Sequence, residues 1–484
     1  MSIQRVFRGR VRSNFVLSAL LAPAVGCSGS NSATNNGSPS DGGTASADGS
    51  QMLIPLEPPD SATGSSGPDG SSASACLAPD LACDAGCLTN DTLNCGACGN
   101  VCPGADGGAP TCAASDGGYA CGLSCGSGLA ACGGACVATA TFQTDRNNCG
   151  SCGFSCIGGT CIAGACQPWL IANDAYREVS PATDGVNVAY INGDDDVGYV
   201  VPLAGGTPLE VANGVVDASG VAIQGSAADF VTWDQGDTPG TENSLIQMSV
   251  SDQAASGATV MTGENLPALA VVLSKDGSTA YVELSQDNIL ACSQQSHSCS
   301  SLVTIQGLTH VSTFLVNGLA VSTDYLFFTD VTNGNLWRYQ LPAGPLTMAT
   351  TASGLLPFLA ADSTYVYYAT NSGGMVSVFQ TLQTSSASSA GPQLMMSVSG
   401  TLTGLAVDGS NVSVSATTGS GSSMGGFVAY APLPGTAGAA DAGAGGGVAT
   451  MLYQGDPVAG LAAGGGAVVW VDETTEGMYG QRLP

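Results

Sequence analysis

Leu359-Ala360-Ala361-Asp362-Ser363-Thr364-Tyr365-Val366-Tyr367-Tyr368 decides the fold of this chain. A small apolar run ends at an Asp-led turn, and an apolar and aromatic run of strand-forming residues follows. The phrase recurs as Leu319-Ala320-Val321-Ser322-Thr323-Asp324-Tyr325-Leu326-Phe327-Phe328 and as Leu405-Ala406-Val407-Asp408-Gly409-Ser410-Asn411-Val412-Ser413-Val414. Further copies start near Ala182, Leu273 and Leu461, and a degenerate one surrounds Ala228-Asp229-Phe230-Val231-Thr232-Trp233. Asp-Gly and Gly-Gly tolerate the backbone of a tight hairpin. Each copy therefore reads as a hairpin: a strand that ends at the turn, and a next strand that alternates apolar and polar residues. A third strand often follows, as in Asn335-Leu336-Trp337-Arg338-Tyr339-Gln340. Seven copies over 167–484 give about 45 residues each, the period of a propeller blade. The fold class is all-β: a C-terminal β-propeller of about seven blades, preceded by a small disulfide-rich irregular module and a disordered linker. The last copy has room for only three strands. Trp169-Leu170-Ile171-Ala172, ahead of the first full copy, is expected to supply the fourth and close the ring.

Upstream, 76–166 holds 16 of the 19 cysteines in two repeats. The first is Cys76, Cys83, Cys87, Cys95, Cys98, Cys102, Cys112 and Cys121. The second is Cys125, Cys132, Cys136, Cys149, Cys152, Cys156, Cys161 and Cys166. Asn94-Cys95-Gly96-Ala97-Cys98-Gly99 and Asn148-Cys149-Gly150-Ser151-Cys152-Gly153 match closely. Cys-x-x-Cys pairs also suit zinc or a redox dithiol. The even count and the scarcity of large apolar residues favour structural disulfides, since so small a core needs staples. Spacing does not fix which cysteine pairs with which. Cys292 and Cys299, seven apart between strands, are expected to form a local disulfide.

This N-C-G-x-C-G-x-x-C string resembles the cysteine-rich stigma-specific proteins of plants and similar modules of bacterial surface lipoproteins. That resemblance implies a secreted interaction or spacer module and supplies no chemistry. The C-terminal part resembles uncharacterised propeller lipoproteins of the NHL/YWTD-like type. Its nearest forms of the Tyr-Trp-Thr-Asp string are Phe327-Phe328-Thr329-Asp330 and Val469-Trp470-Val471-Asp472.

The N-terminus suggests the compartment. Four arginines up to Arg12 precede an apolar stretch from Phe15 to Ala22, too short to span a bilayer but suited to a signal peptide. Ala24-Val25-Gly26-Cys27 resembles the bacterial lipobox, with Ala24 where Leu is usual. Ordinary cleavage after Ala22-Pro23-Ala24 also fits. Setting Cys27 aside leaves 18 cysteines, an even number, which favours lipidation at Cys27. Ser28 behind it implies, by resemblance, the outer membrane. Residues 28–75 are almost wholly small and polar and read as a flexible tether spanning roughly 35–40 Å. The expected domains are 1–26, 27–75, 76–124, 125–166 and 167–484.

Past the signal, five basic residues face all 37 acidic ones, a formal charge of −32. Such a surface repels phosphate backbones and excludes nucleic acid as a partner. With two histidines, a multi-histidine metal site has too few ligands. No nucleophile elbow, P-loop or dinucleotide fingerprint occurs. No cofactor is expected, except that Asp194-Asp195-Asp196 offers oxygen ligands for Ca²⁺ without EF-hand spacing. Trp233 reads first as packing between blades; beside Asp234 and Asp237, its ring offers sugar stacking as the alternative. Trp337 and Trp470 read as packing between blades, and His297 as a solvated loop residue. The expected partners are the membrane, through the lipid anchor, and a protein or carbohydrate ligand. A propeller-scaffold enzyme, lyase or glycoside hydrolase, and a purely structural envelope component are the alternatives to a binding role.

Overall fold

The computed structural model describes residues 81–484, apart from 84–85, 116–117, 174, 176–179, 193–196, 214–217, 233–243, 251–257, 260–267, 285–287, 305–317, 385–390, 420–423 and 435–447. The described residues form seven four-stranded antiparallel sheets and four short hairpins. The sheets are the blades of a propeller. Blades 1 to 6 occupy 182–213, 218–259, 268–304, 319–351, 355–399 and 401–455, each in simple chain order. First strands of successive blades contact one another around the ring, and the first strand of blade 7 meets that of blade 1.

Blade 7 takes three strands from 458–482 and its outermost from Trp169–Ala172, as the sequence led us to expect. Met478 pairs with Ala172, Tyr479 with Leu170 and Gly480 with Trp169. The Trp169 ring is 6% exposed, and its Nε1 donates to Leu203 O of blade 1 at 3.0 Å. The clasp thus joins the two ends of the propeller chain and also grips the neighbouring blade.

The Asp-led turns work through the side chain as well as through glycine. The carboxylate of Asp362 accepts the N–H groups of Thr364 and Tyr365, at 2.6 and 2.7 Å. Asp184 and Asp408 do the same for their turns. Such an Asx turn needs no glycine, which is why Asp362-Ser363 serves as well as Asp408-Gly409.

The expected alternation of apolar and polar residues does not hold in the second strands. Tyr325–Asp330 is buried from Leu326 onward, and Ala467–Asp472 throughout. Every blade lies between two others, so both faces of its second strand are covered. Successive side chains enter opposite seams. Phe328 packs against blade 3 and Phe327 against blade 5. Tyr368 packs against blade 4 and Tyr367 against blade 6. Seven apolar clusters fill the seven seams. Trp337 and Trp470 belong to two of them, between blades 3 and 4 and between blades 6 and 7.

The cysteine module is built from the matching Asn-Cys-Gly strings. Asn94 Oδ1 accepts the N–H of Gly99 at 3.0 Å, and Asn148 Oδ1 that of Gly153 at 2.9 Å. Gly96 and Gly150 have φ of +70° and +75°, and a Cβ on either would lie 2.6 Å from a carbonyl oxygen, of Tyr119 or Gly164. Both positions therefore require glycine. Disulfides join Cys95–Cys112 and Cys102–Cys121 in the first repeat. In the second they join Cys125–Cys136, Cys132–Cys152, Cys149–Cys161 and Cys156–Cys166. Cys292 and Cys299 are joined on facing strands of blade 3. The second repeat packs on the propeller: Gln481 Nε2 donates to Cys166 O at 3.2 Å, and the Arg482 guanidinium lies 5.5 Å from the Phe154 ring centre.

Counted within a repeat, the second copy pairs its cysteines first with third, second with fifth, fourth with seventh and sixth with eighth. The two bonds described in the first copy obey the same order, and its fifth cysteine, Cys98, is also disulfide-bonded. Peptide mapping without reduction is therefore expected to recover Cys76–Cys87 and Cys83–Cys98; any other partner for Cys98 contradicts the repeat rule. Trp169→Ala, which empties the clasp, is expected to cost about 3–5 kcal/mol in chemical denaturation, whereas Leu170→Ala, at a 46% exposed position of the same strand, should change little.

Candidate binding site

One position recurs in all seven blades. The residue that follows the third strand donates its N–H to a carbonyl in the turn between the first and second strands of its own blade. The pairs are Leu203 to Val186, Val250 to Ser226, Gln294 to Ser278, Leu341 to Asp324, Gln383 to Thr364, Leu433 to Ser410 and Leu483 to Gly466, all between 2.7 and 3.0 Å. This locks together the turns on one end of the propeller. Five of the seven residues are aliphatic. In blades 3 and 5 the position is glutamine, and each side chain reaches back to the preceding blade.

Gln383 bridges blades 4 and 5. Its Oε1 accepts from Ser322 Oγ at 2.8 Å, and its Nε2 donates to Asp362 O at 2.8 Å. Arg338 of blade 4 donates to the Gln383 carbonyl and stacks 5.7 Å from the centre of the Tyr325 ring. Gln294 bridges blades 2 and 3, its Nε2 donating to Asp229 Oδ2 at 2.5 Å. Asp229 is fully buried, and burial pushes its carboxyl up to about 7, partly offset by Gln294 and Gln247. His297, expected to be a solvated loop histidine, instead places Nδ1 3.0 Å from Gln247 Oε1 of blade 2. The disulfide-closed turn folds over the neighbouring blade, which gives the ring a partner although it stays exposed.

Between blades 3 and 4 the recurring position is Leu341, and no glutamine bridges the turns. A groove of about 390 Å³ opens there. Leu341 and Pro342 form an apolar wall, Tyr281 lies on the blade 3 side, and Lys275, Thr323 and Asp324 line its polar side. Lys275 is the only lysine of the chain. Lys275 and Asp324 are exposed and form no ion pair among the described residues. A lone ammonium, a free carboxylate, hydroxyls and a phenol ring around an apolar wall suit a neutral polar ligand that both donates and accepts hydrogen bonds. Asp276 at the rim is already used by its own turn, accepting from Ser274 Oγ at 2.6 Å and from Ser278 N at 3.1 Å.

The Ca²⁺-binding and sugar-binding residues proposed from sequence fall outside the described part of the chain. Asp194, Asp195, Asp196, Trp233, Asp234 and Asp237 lie outside the described residues, as do Cys27, Cys76 and His310. Cys83 and Cys87 stand on the paired strands Leu81–Cys83 and Gly86–Leu88. Sulfurs of Cys95, Cys102 and Cys121 come within 4.8 Å of one another, as do those of Cys149, Cys156 and Cys166. Each of these cysteines is bonded in a disulfide, and the thiolate is the form that ligates metal. Sequence reasoning missed the recurring Leu/Gln position. Its signal is present in Val201-Pro202-Leu203, Gln340-Leu341-Pro342 and Ala431-Pro432-Leu433, each closing a third strand.

No family model and no curated protein matches this sequence. Solved structures resemble this chain at low identity. BamB from Moraxella catarrhalis is 12% identical with a TM-score of 0.39, over 65% of this chain and 98% of that one. The Cps50 (Swd1) β-propeller domain of Myceliophteria thermophila is 9% identical with a TM-score of 0.44, over 66% and 99%. A structure of YCF48 bound to D1 peptide is 11% identical with a TM-score of 0.42, over 66% and 94%.

Gln383→Ala leaves Ser322 Oγ without one of its partners and opens the seam between blades 4 and 5. It is expected to cost about 1–3 kcal/mol in denaturant unfolding, and Gln383→Leu, which copies the aliphatic blades, should recover part of that loss.

Proposed function

We propose that this chain is a cell-envelope lipoprotein, anchored to the outer membrane through an acylated Cys27, whose propeller is a rigid binding platform for a protein or carbohydrate ligand. The observation that carries the binding role is the groove between blades 3 and 4. No glutamine bridges its turns, and Lys275 and Asp324 stand exposed beside the apolar wall of Leu341 and Pro342. Seven packed seams and a closed ring hold its walls in fixed positions, so little conformational entropy is lost when a ligand is ordered there. The disulfide module, which docks on the seam between blades 7 and 1, serves in this reading as a stiff spacer between tether and platform. The acidic surface supports solubility and works against polyanionic ligands.

The test screens the purified full-length protein in detergent against arrays of neutral glycans and of peptides, with Lys275→Ala/Asp324→Ala as the matched control. A ligand bound at least tenfold more weakly by the double variant supports the platform reading. Ligands bound equally by both proteins place recognition elsewhere on the ring, and an empty screen favours a structural envelope role. The anchor is tested separately by mass spectrometry of the mature N-terminus, where diacylglyceryl-Cys27 is expected and an unmodified residue 25 would refute it.

A further inference from the structure

The seam between blades 2 and 3 differs from the others in holding a buried carboxyl group at its centre. Asp229 and Gln247 face each other on neighbouring strands of blade 2, and both are 2% exposed or less. Gln294 Nε2 occupies Asp229 Oδ2 at 2.5 Å, while Asp229 Oδ1 and Gln247 Nε2 are buried without a well-formed hydrogen bond. On its other side the Gln247 amide meets His297 Nδ1 at 3.0 Å. Gln294 and His297 both belong to the turn closed by the Cys292–Cys299 disulfide. One amide therefore stands between a buried acid in one blade and a surface imidazole in the next.

We propose that Gln247 couples the protonation of Asp229 to the tautomer of His297, making the seam between blades 2 and 3 a pH-responsive latch. The logic is that of hydrogen-bond complementarity. An amide offers an acceptor oxygen at one corner and a donor nitrogen at the other, and its orientation follows its partners. When Asp229 carries a proton, its Oδ1–H donates to the amide oxygen. The amide N–H then donates to an unprotonated His297 Nδ1, and the imidazole proton sits on Nε2. Both orphaned atoms are satisfied in this arrangement. When Asp229 is ionised the amide must turn, giving its N–H to the carboxylate and its oxygen to His297, whose Nδ1 must now hold the proton. The proton lost by Asp229 passes to solvent; in a neutral imidazole the accompanying change is only in which ring nitrogen bears the proton.

The direction of the pH effect follows from burial. Burial raises the affinity of Asp229 for its proton, so that it titrates at about 7 against the ordinary 3.8. A carboxyl raised in the folded state stabilises the fold most at low pH, and that contribution is lost as pH rises through about 7. Of the titratable side chains on the blade 3 elements packed against this seam, Tyr281 and Glu283 turn toward blade 4, and Lys275 and Asp276 line the groove on that side; His297 reaches the Gln247 amide. The strands flanking Asp229 in blade 2, Ala218–Gln224 and Ser244–Ser249, bring no titratable group. The shift of Asp229 arises from burial and the two amides, with no contribution from any of those charges.

The test labels histidine in the full-length protein with ¹⁵N and reads the ring nitrogens at pH 9, with His310→Gln to assign the two residues. The expected result is Nδ1–H at His297 in the parent protein and Nε2–H in Asp229→Asn, whose side-chain amide donates at every pH. Gln247→Leu, which cuts the link while leaving Asp229 in place, should abolish the Nδ1–H preference too. Thermal melts supply the second readout: the parent loses stability between about pH 4 and pH 7, and Asp229→Asn lacks that loss. The same His297 tautomer in the parent and in either folded variant would overturn the coupling. A parent profile that Asp229→Asn leaves unchanged would overturn the latch.

Discussion

The structure depends on burial of the second strand of each blade on both of its faces. A sheet covered on one side would stabilise itself by alternating apolar and polar residues. Here the neighbouring blades remove that freedom, and runs such as Leu326-Phe327-Phe328 and Val366-Tyr367-Tyr368 send successive side chains into different seams. Each blade is therefore stable only between two others. A ring satisfies that demand for every blade at once, whereas an open row would leave two uncovered faces. The clasp at Trp169–Ala172 is the closure that this requirement imposes.

Once the seams are apolar, a polar group placed in one has to be matched there. The recurring position after the third strand shows two solutions. Five blades use an aliphatic residue and add to the core. Blades 3 and 5 use glutamine, whose paired donor and acceptor tie adjacent blades by hydrogen bonds. The seam between blades 3 and 4 has the aliphatic Leu341, and the groove opens beside it. The candidate site is set apart by the exposed Lys275 and Asp324 that its turns carry.

The ring and its closure were legible in the sequence because they repeat: a short turn and the apolar run behind it recur seven times, and a missing strand at one end is conspicuous. The two-sided burial was not read from the sequence: the periodicity of a single hairpin suggested alternation, although doubled aromatics such as Phe327-Phe328 and Tyr367-Tyr368 carry its signal. The seam bridges were not legible. Gln294 lies 65 residues from Asp229 and Gln383 lies 61 from Ser322, so nothing local marks the partners. Disulfide pairing was closed to sequence reasoning for the same reason, although the Asn and Gly positions that shape each Asn-Cys-Gly loop are printed in the motif itself. The groove draws its walls from turns of two blades, and only the folded ring brings Lys275 and Asp324 to one place.

The order of the chain through the clasp has a mechanical meaning. Any pull on the polypeptide ahead of the propeller passes along 156–166, where the Cys156–Cys166 bond shortens the load path. It then enters Trp169, the first residue of the strand that seals the ring. The force falls on the outermost strand of blade 7, whose hydrogen bonds to Met478–Arg482 and whose indole in blade 1 resist together. A load that broke this strand free would leave blade 7 three-stranded and withdraw the Trp169 indole from blade 1, while the first strands of blades 7 and 1 stayed in contact. Loss of the clasp would therefore loosen one seam and spare the packing of the other six.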